Sequence, residues 1–174
     1  THTLAKLRRG PNIGALMDGV AAPELPETLL ALTREDRTLP AEAGEIRFRG
    51  TDRLRELEVA GPTRLLSLEQ SNASVRFGDE VILKIYRRLR PGVQPDVEVP
   101  RFLTETAGFA HTPALLGHVA LHAEGEPETS LAAAFEYVAN QGDCWTALTD
   151  ALHRDLEDHA IASAEEAPVE TDPE

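Results

Sequence analysis

Lys84 ends the apolar run Val81-Ile82-Leu83-Lys84, which follows the polar turn Gln70-Ser71-Asn72-Ala73-Ser74 and precedes Glu98 by fourteen residues. In a strand from Glu80 to Tyr86, the pleat puts Ile82, Lys84 and Tyr86 on one face and Val81, Leu83 and Ile85 on the other. An ammonium on a strand that is otherwise apolar must reach water or meet an anion, because burying it unpaired costs several kcal/mol. Glu98 could be that anion. The turn offers short hydroxyl and amide side chains next to consecutive backbone N–H groups, donors of the kind that cradle phosphate. Serine and asparagine are also ordinary turn formers. An anion site at Lys84 and a structural salt bridge or exposed edge lysine are therefore both open from these residues alone.

Arg87-Arg88-Leu89-Arg90 is the one dense basic cluster, set just after the lysine strand and before Pro91-Gly92. It is either a phosphate or partner contact or a solvated loop that balances nearby acids. The chain as a whole is acidic, with a net charge of -13 and a pI near 4.9. Neutralising a duplex needs a net basic face, so no nucleic-acid partner is expected. The six histidines lack metal-ligand spacing, and His118 and His122 fall in a strand, so no metal site is expected here. The single cysteine, Cys144, excludes an internal disulfide and fits a reducing cytoplasm. No apolar run approaches the ~18 residues of a membrane span, and residues 1–10 do not read as a signal peptide. Thr1 in place of a starting Met suggests a processed, truncated or excised chain.

With 174 residues, 41% of them hydrophobic and 27% charged, the chain can bury a core of ordinary size. Helical spacing over Ile13 to Val20 and a second helix from Glu27 to Thr33 are expected first. Gly44 to Gly50 alternates apolar with charged residues as a half-exposed strand does, and Leu54 to Val59 repeats that pattern. Gly61-Pro62 marks a turn and a domain boundary. Strands then follow at Leu65 to Gln70, Ser74 to Phe77 and Glu80 to Tyr86, the last two joined by Gly78-Asp79. A helix over Asp96 to Ala107 leads to strands at Leu115 to His122 and Leu131 to Val138. A helix from Trp145 to about His159 comes last, with the indole of Trp145 expected to pack it down. The acidic stretch 162–174 should be frayed or disordered. The fold class expected is α+β: a cap over residues 1–60, an antiparallel-sheet unit over 61–140, a helix over 141–161 and the acidic tail.

Taken together, several segments resemble the N-terminal part of bacterial maltokinases, as found fused to trehalose synthases. They are Glu69-Gln70-Ser71-Asn72-Ala73-Ser74-Val75, Val81 to Leu89, Gly92 to Val99, Arg101-Phe102-Leu103-Thr104-Glu105, Thr112-Pro113 with Leu116-Gly117, and Val138 with Asn140-Gln141-Gly142-Asp143 and Trp145. They span residues 63 to 152 in order. The resemblance implies transfer of the γ-phosphoryl group of ATP to the anomeric hydroxyl of maltose, with Mg²⁺, on the two-lobed fold of aminoglycoside phosphotransferases. It implies that Lys84 binds the α/β-phosphates and pairs with Glu98, and that Ser71, Asn72 and Ser74 form the phosphate-facing turn. Phe135 to Val138, with Glu136 and Val138 presenting backbone to the adenine edge, would be the hinge; Ile82 would pack on the ring.

The chain departs from that family at Cys144, where a glycine or small residue is usual, and at Pro100, inside the helix that carries Glu98. A proline past the first helical turn costs about 3 kcal/mol. Either that helix starts late, with Pro100 in its first turn, or Glu98 sits on irregular backbone. The histidine-glycine-aspartate loop that orients an acceptor, and the later aspartate that holds Mg²⁺, have no counterpart here. The chain alone is therefore expected to be catalytically silent, with maltose reached through a further lobe. The other reading is a kinase-derived, non-catalytic interaction or structural module that partners a trehalose synthase.

Overall fold

The computed structural model describes residues 3–140, 142 and 144–165. Its centre is a seven-stranded antiparallel sheet, built from β3 (Thr38–Ala41), β4 (Gly44–Gly50), β5 (Thr63–Leu68), β6 (Asn72–Phe77), β7 (Val81–Tyr86), β8 (Leu115–His122) and β9 (Thr129–Glu136). The strand order is β3-β4-β8-β9-β7-β6-β5. Helices α1 (Glu24–Arg34), α2 (Asp52–Glu56) and α3 (Pro95–Arg101) accompany it. The class is thus α+β, with antiparallel pairing between all the named strands. Because β4 pairs with β8, the sheet runs across Gly61 instead of breaking there, and the first compact unit extends to Val138. The boundary expected at Gly61 is a tight turn inside one sheet, with Gly61 at φ 102°.

Two early elements differ from expectation. Ile13 to Val20 is not a helix: β1 (Thr3–Arg9) and β2 (Asn12–Met17) form a separate two-stranded hairpin, closed at Gly10-Pro11 with Gly10 at φ 61°. The apolar positions mimic a helical period, but the Gly-Pro reversal gives the backbone of β2 a partner strand. Asp18 then breaks the run by accepting from Val20 N–H at 3.2 Å, which starts a short 3-10 turn. Leu54 to Val59 likewise begins as helix α2, not strand. Thr51 caps it, its hydroxyl accepting from Leu54 N–H at 3.3 Å, and Leu54 becomes fully buried.

Helix α1 sits close to β4 and β8 because two glycines leave room for it. A Cβ at Gly117 would stand 2.6 Å from Thr33 Cγ2, and one at Gly50 would stand 2.5 Å from the Thr33 carbonyl. The helix ends in a Schellman turn: Arg37 N–H donates to Leu32 O at 3.1 Å and Asp36 N–H to Thr33 O at 3.3 Å. Asp36 occupies the left-handed position, φ 52°, where glycine is usual. Its carboxylate compensates by accepting from Gly50 N–H at 2.8 Å and pairing with Arg55. The Gly50 bond, then the Arg55 charge, hold that carboxyl below its ordinary pKa despite partial burial. Asp36→Ala keeps the unfavourable φ and loses both contacts, so we expect about 2 kcal/mol of destabilisation by urea unfolding. A lowered pKa means this contribution is present above the ordinary aspartate range and disappears as pH falls through the folded value.

The sheet separates two clusters. One face carries Val75, Phe77, Leu83, Val119 and Ala132, packed with Leu30 of α1 and Leu54 of α2. The other gathers Tyr86, Leu115 and Ala133 around the fully buried Val97 of α3. The second unit, residues 139–174, contains α4 (Cys144–Glu165). Trp145, expected to be a packing residue, is 77% exposed, and Leu148, Leu152 and Leu156 continue its stripe at helical spacing. Helix α4 continues four residues into the stretch expected to fray; 166–174 lie outside the described residues. Among the described residues, no helix is long and apolar enough to cross a membrane.

Candidate functional site

Lys84 stands mid-strand in β7, opposite Ser74 of β6 and Ala133 of β9. It therefore points to the α3 side of the sheet, the side of Tyr86. A cleft of about 250 Å³ opens there. Lys84 and Tyr86 supply its floor, with Ser71 and Asn72 at one wall and Gln94 and Asp96 at another. Arg88 and Arg90, from the loop after β7, complete the rim. Ser71, Asn72 and Lys84 are thus brought together around one space. Ser74 shares their face through its register with Lys84, whereas Ile82, Glu136 and Val138 do not line this cleft.

The turn that carries Ser71 is tied to the end of the lysine strand. Glu69 N–H donates to Asn72 O at 2.9 Å, closing the β5–β6 hairpin, and Ser71 O accepts from Arg87 N–H at 2.8 Å. Asn72 Nδ2 donates to Ser71 Oγ at 3.1 Å, and Arg88 to Gln70 Oε1 at 3.1 Å. Arg87 turns away to Asp18, 2.6 Å from its carboxylate. The basic cluster is therefore divided: Arg87 is structural, while Arg88 and Arg90 face the cleft.

The carboxylate that reaches Lys84 is Asp96, not Glu98. Helix α3 starts at Pro95, with Gln94 as its N-terminal cap residue, so Asp96 stands in the first turn above β7. Glu98 lies two residues on, about 200° round the helix axis. There it lines a separate groove of about 590 Å³ with Val99, Phe102 and Arg101. Pro100 is in the helix interior, matching neither of the two expected arrangements. Beyond it the helix widens into a π-turn over Phe102–Thr106, in which Ala107 N–H donates to Phe102 O at 2.9 Å. Proline at the first helical position is a start signal that would have placed Asp96 correctly.

Tyr86 is 8% exposed, and among the described residues its hydroxyl has no hydrogen-bond partner. Burial, then the nearby Asp96 charge, push its pKa well above the ordinary tyrosine value, so it stays a donor. Three cations, Lys84, Arg88 and Arg90, meet one carboxylate, Asp96, in this cleft. The local sign is therefore opposite to that of the chain. The donor set suits a phosphate chain. It does not suit Mg²⁺: Asp96 is the sole carboxylate lining the cleft, and among the described residues no group of three His, Cys, Asp or Glu could hold a metal ion.

The strand end expected to act as a hinge is engaged internally. Glu136 pairs with Arg53 across the other face of the sheet, and its N–H donates to Ala114 O at 2.9 Å. Tyr137 N–H donates to Glu80 O at 2.8 Å, and Val138 is exposed. Ile82 is half-buried, with Arg76 and Phe135 as its cross-strand neighbours.

On the same side of the sheet, His118 of β8 meets Arg101, with ring nitrogens 3.1 and 3.2 Å from its guanidinium. Burial, then the Arg101 charge, lower the imidazole pKa to about 4. A histidine held neutral in the fold leaves the unfolded chain the stronger proton binder between its ordinary pKa and 4. Stability is complete above about pH 6.5 and falls as pH drops toward 4, with a limiting slope of about 1.4 kcal/mol per pH unit, reduced by residual solvent contact. His118→Gln should flatten the urea-unfolding profile in that window. No model of a known protein family matches the chain.

Proposed function

We propose that the chain is the ATP-side part of a maltokinase, a kinase-like small lobe of the aminoglycoside phosphotransferase type, and that the cleft at Lys84 takes the phosphates of ATP. The observation that carries this reading is the convergence of Lys84, the Ser71-Asn72 turn and Arg88 with Arg90 on one space, with a helix-borne carboxylate already paired to the lysine. A strand lysine whose counter-ion comes from the next helix is the arrangement by which kinases hold nucleotide phosphates. Here Asp96 takes the position that Glu98 was expected to fill. Maltose and the Mg²⁺ ligands would both lie outside this cleft.

Calorimetric titration of ATP with Mg²⁺ tests the site. Binding is expected for the unaltered chain and a loss of about tenfold or more in Lys84→Met, one charge-assisted contact being removed. Equal affinity in the two proteins would reject the lysine as a phosphate ligand. The alternative, a kinase-derived interaction module on a trehalose synthase, draws on the β1–β2 hairpin, where Leu4, Leu7, Ile13, Leu16 and Met17 are all at least half exposed. It predicts no ATP binding, and retention of trehalose synthase by the chain in a pull-down that Ile13→Asp abolishes.

A further inference from the structure

We infer that this site recognises the polyphosphate chain and not the base, so that inorganic tripolyphosphate is a ligand comparable to ATP. The inference rests on the phosphate reading of the Lys84 cleft and extends it to the class of ligand. Every residue that lines the cleft carries a polar group, and its cations exceed its carboxylates by two. Lys84 is half-satisfied by Asp96; among the described residues the Arg88 side chain bonds the neutral Gln70 and Arg90 has no ion pair. An anion with several charges, long enough to pass from Lys84 to the loop arginines, would satisfy all three.

The neighbouring surface offers a base little in return. Beside Ile82, the place of a flat apolar slot is taken by Arg76, whose guanidinium lies 4.9 Å from the centre of the Tyr137 ring and donates to no base-facing group but to Tyr137 Oη at 3.2 Å. Arg76 also pairs with Asp79 at 3.3 Å, which fixes it over the ring. Along the strand end that would meet a purine, the N–H groups of Glu136 and Tyr137 are already donated to Ala114 and Glu80. Binding free energy is then concentrated in the charged contacts and is screened by salt.

Competition calorimetry on the 174-residue chain, with tripolyphosphate, ATP and AMP as probes, decides the matter. Tripolyphosphate and ATP should bind within about threefold of each other, with AMP about tenfold or more weaker. Arg88→Ala with Arg90→Ala should weaken tripolyphosphate about tenfold or more and AMP less than about twofold, at unchanged melting temperature because both side chains are exposed. If ATP binds and tripolyphosphate does not displace it, the base carries the affinity; the inference fails while the nucleotide site stands. If tripolyphosphate binds equally to Lys84→Met, the lysine-centred site fails instead. Absence of binding by all three probes overturns both.

Discussion

Leu83→Ala should lower the unfolding free energy by about 3–4 kcal/mol, the range for a buried leucine whose cavity cannot collapse. Leu83 is 1% exposed and lies in the interior of the sheet, in register with Val75 on one side and Ala134 on the other. Its strand neighbours are held by ladder hydrogen bonds on both edges, so the backbone cannot move in to fill the space. Such a loss is a large part of the stability of an ordinary domain, 5–15 kcal/mol as an order-of-magnitude range, and corresponds to a drop in melting temperature of about 10 °C. Calorimetric melting checks it; a change under about 1 kcal/mol would mean that the two strands beside β7 can shift inward.

Lys84→Ala, one position along the same strand, should have the opposite signature. On the proposed maltokinase reading, maltose phosphorylation by the complete enzyme should fall by about 10²–10³-fold, the usual cost of losing one preorganised electrostatic contact to the reacting group. Stability should change by less than about 1 kcal/mol, since the Lys84–Asp96 pair is partly solvated and Asp96 remains hydrated when its partner is removed. Coupled assays of maltose-dependent ATP consumption, run beside melting curves, separate the two effects. Retained activity would remove Lys84 from the chemistry, and a joint loss of activity and fold would make it a structural residue.

The contrast between these neighbours explains what was legible in the sequence. Period-two alternation places Leu83 and Lys84 on opposite faces of a strand and marks β4, while at Leu54 to Val59 the same pattern folds as helix α2. Lys84, Ser71 and Asn72 could be grouped because a tight turn and its strand keep them near one another along the chain. Asp96 was passed over for Glu98 because spacing along a helix does not give its phase; the phase follows from where the helix begins, and Pro95 sets that. The sequence puts Tyr86 on the face of Lys84 and makes the arginine cluster a candidate phosphate contact, but which arginines face the cleft depends on the loop after β7, whose path no local pattern sets. The hairpin β1–β2 was misread since Ile13, Leu16, Met17 and Val20 satisfy a helical period by coincidence, while the deciding feature, the reversal at Gly10-Pro11, lies outside that window.

The strand order also governs how this sheet can be assembled. Phe48 of β4 meets Val119 of β8, and Leu83 of β7 meets Ala134 of β9, so β8 and β9 alone join the early hairpin β3–β4 to the meander β5–β7. During synthesis both earlier pieces emerge with an unpaired inner edge: that of β4 waits for β8, complete at His122, and that of β7 waits for β9, complete at Glu136. Such edges are templates for intermolecular pairing, and the long loop closures needed to cap them are slow. Ribosomal stalling between Tyr86 and Leu115 would release nascent chains bearing two sticky borders, which makes this interval the one where chaperone capture matters most.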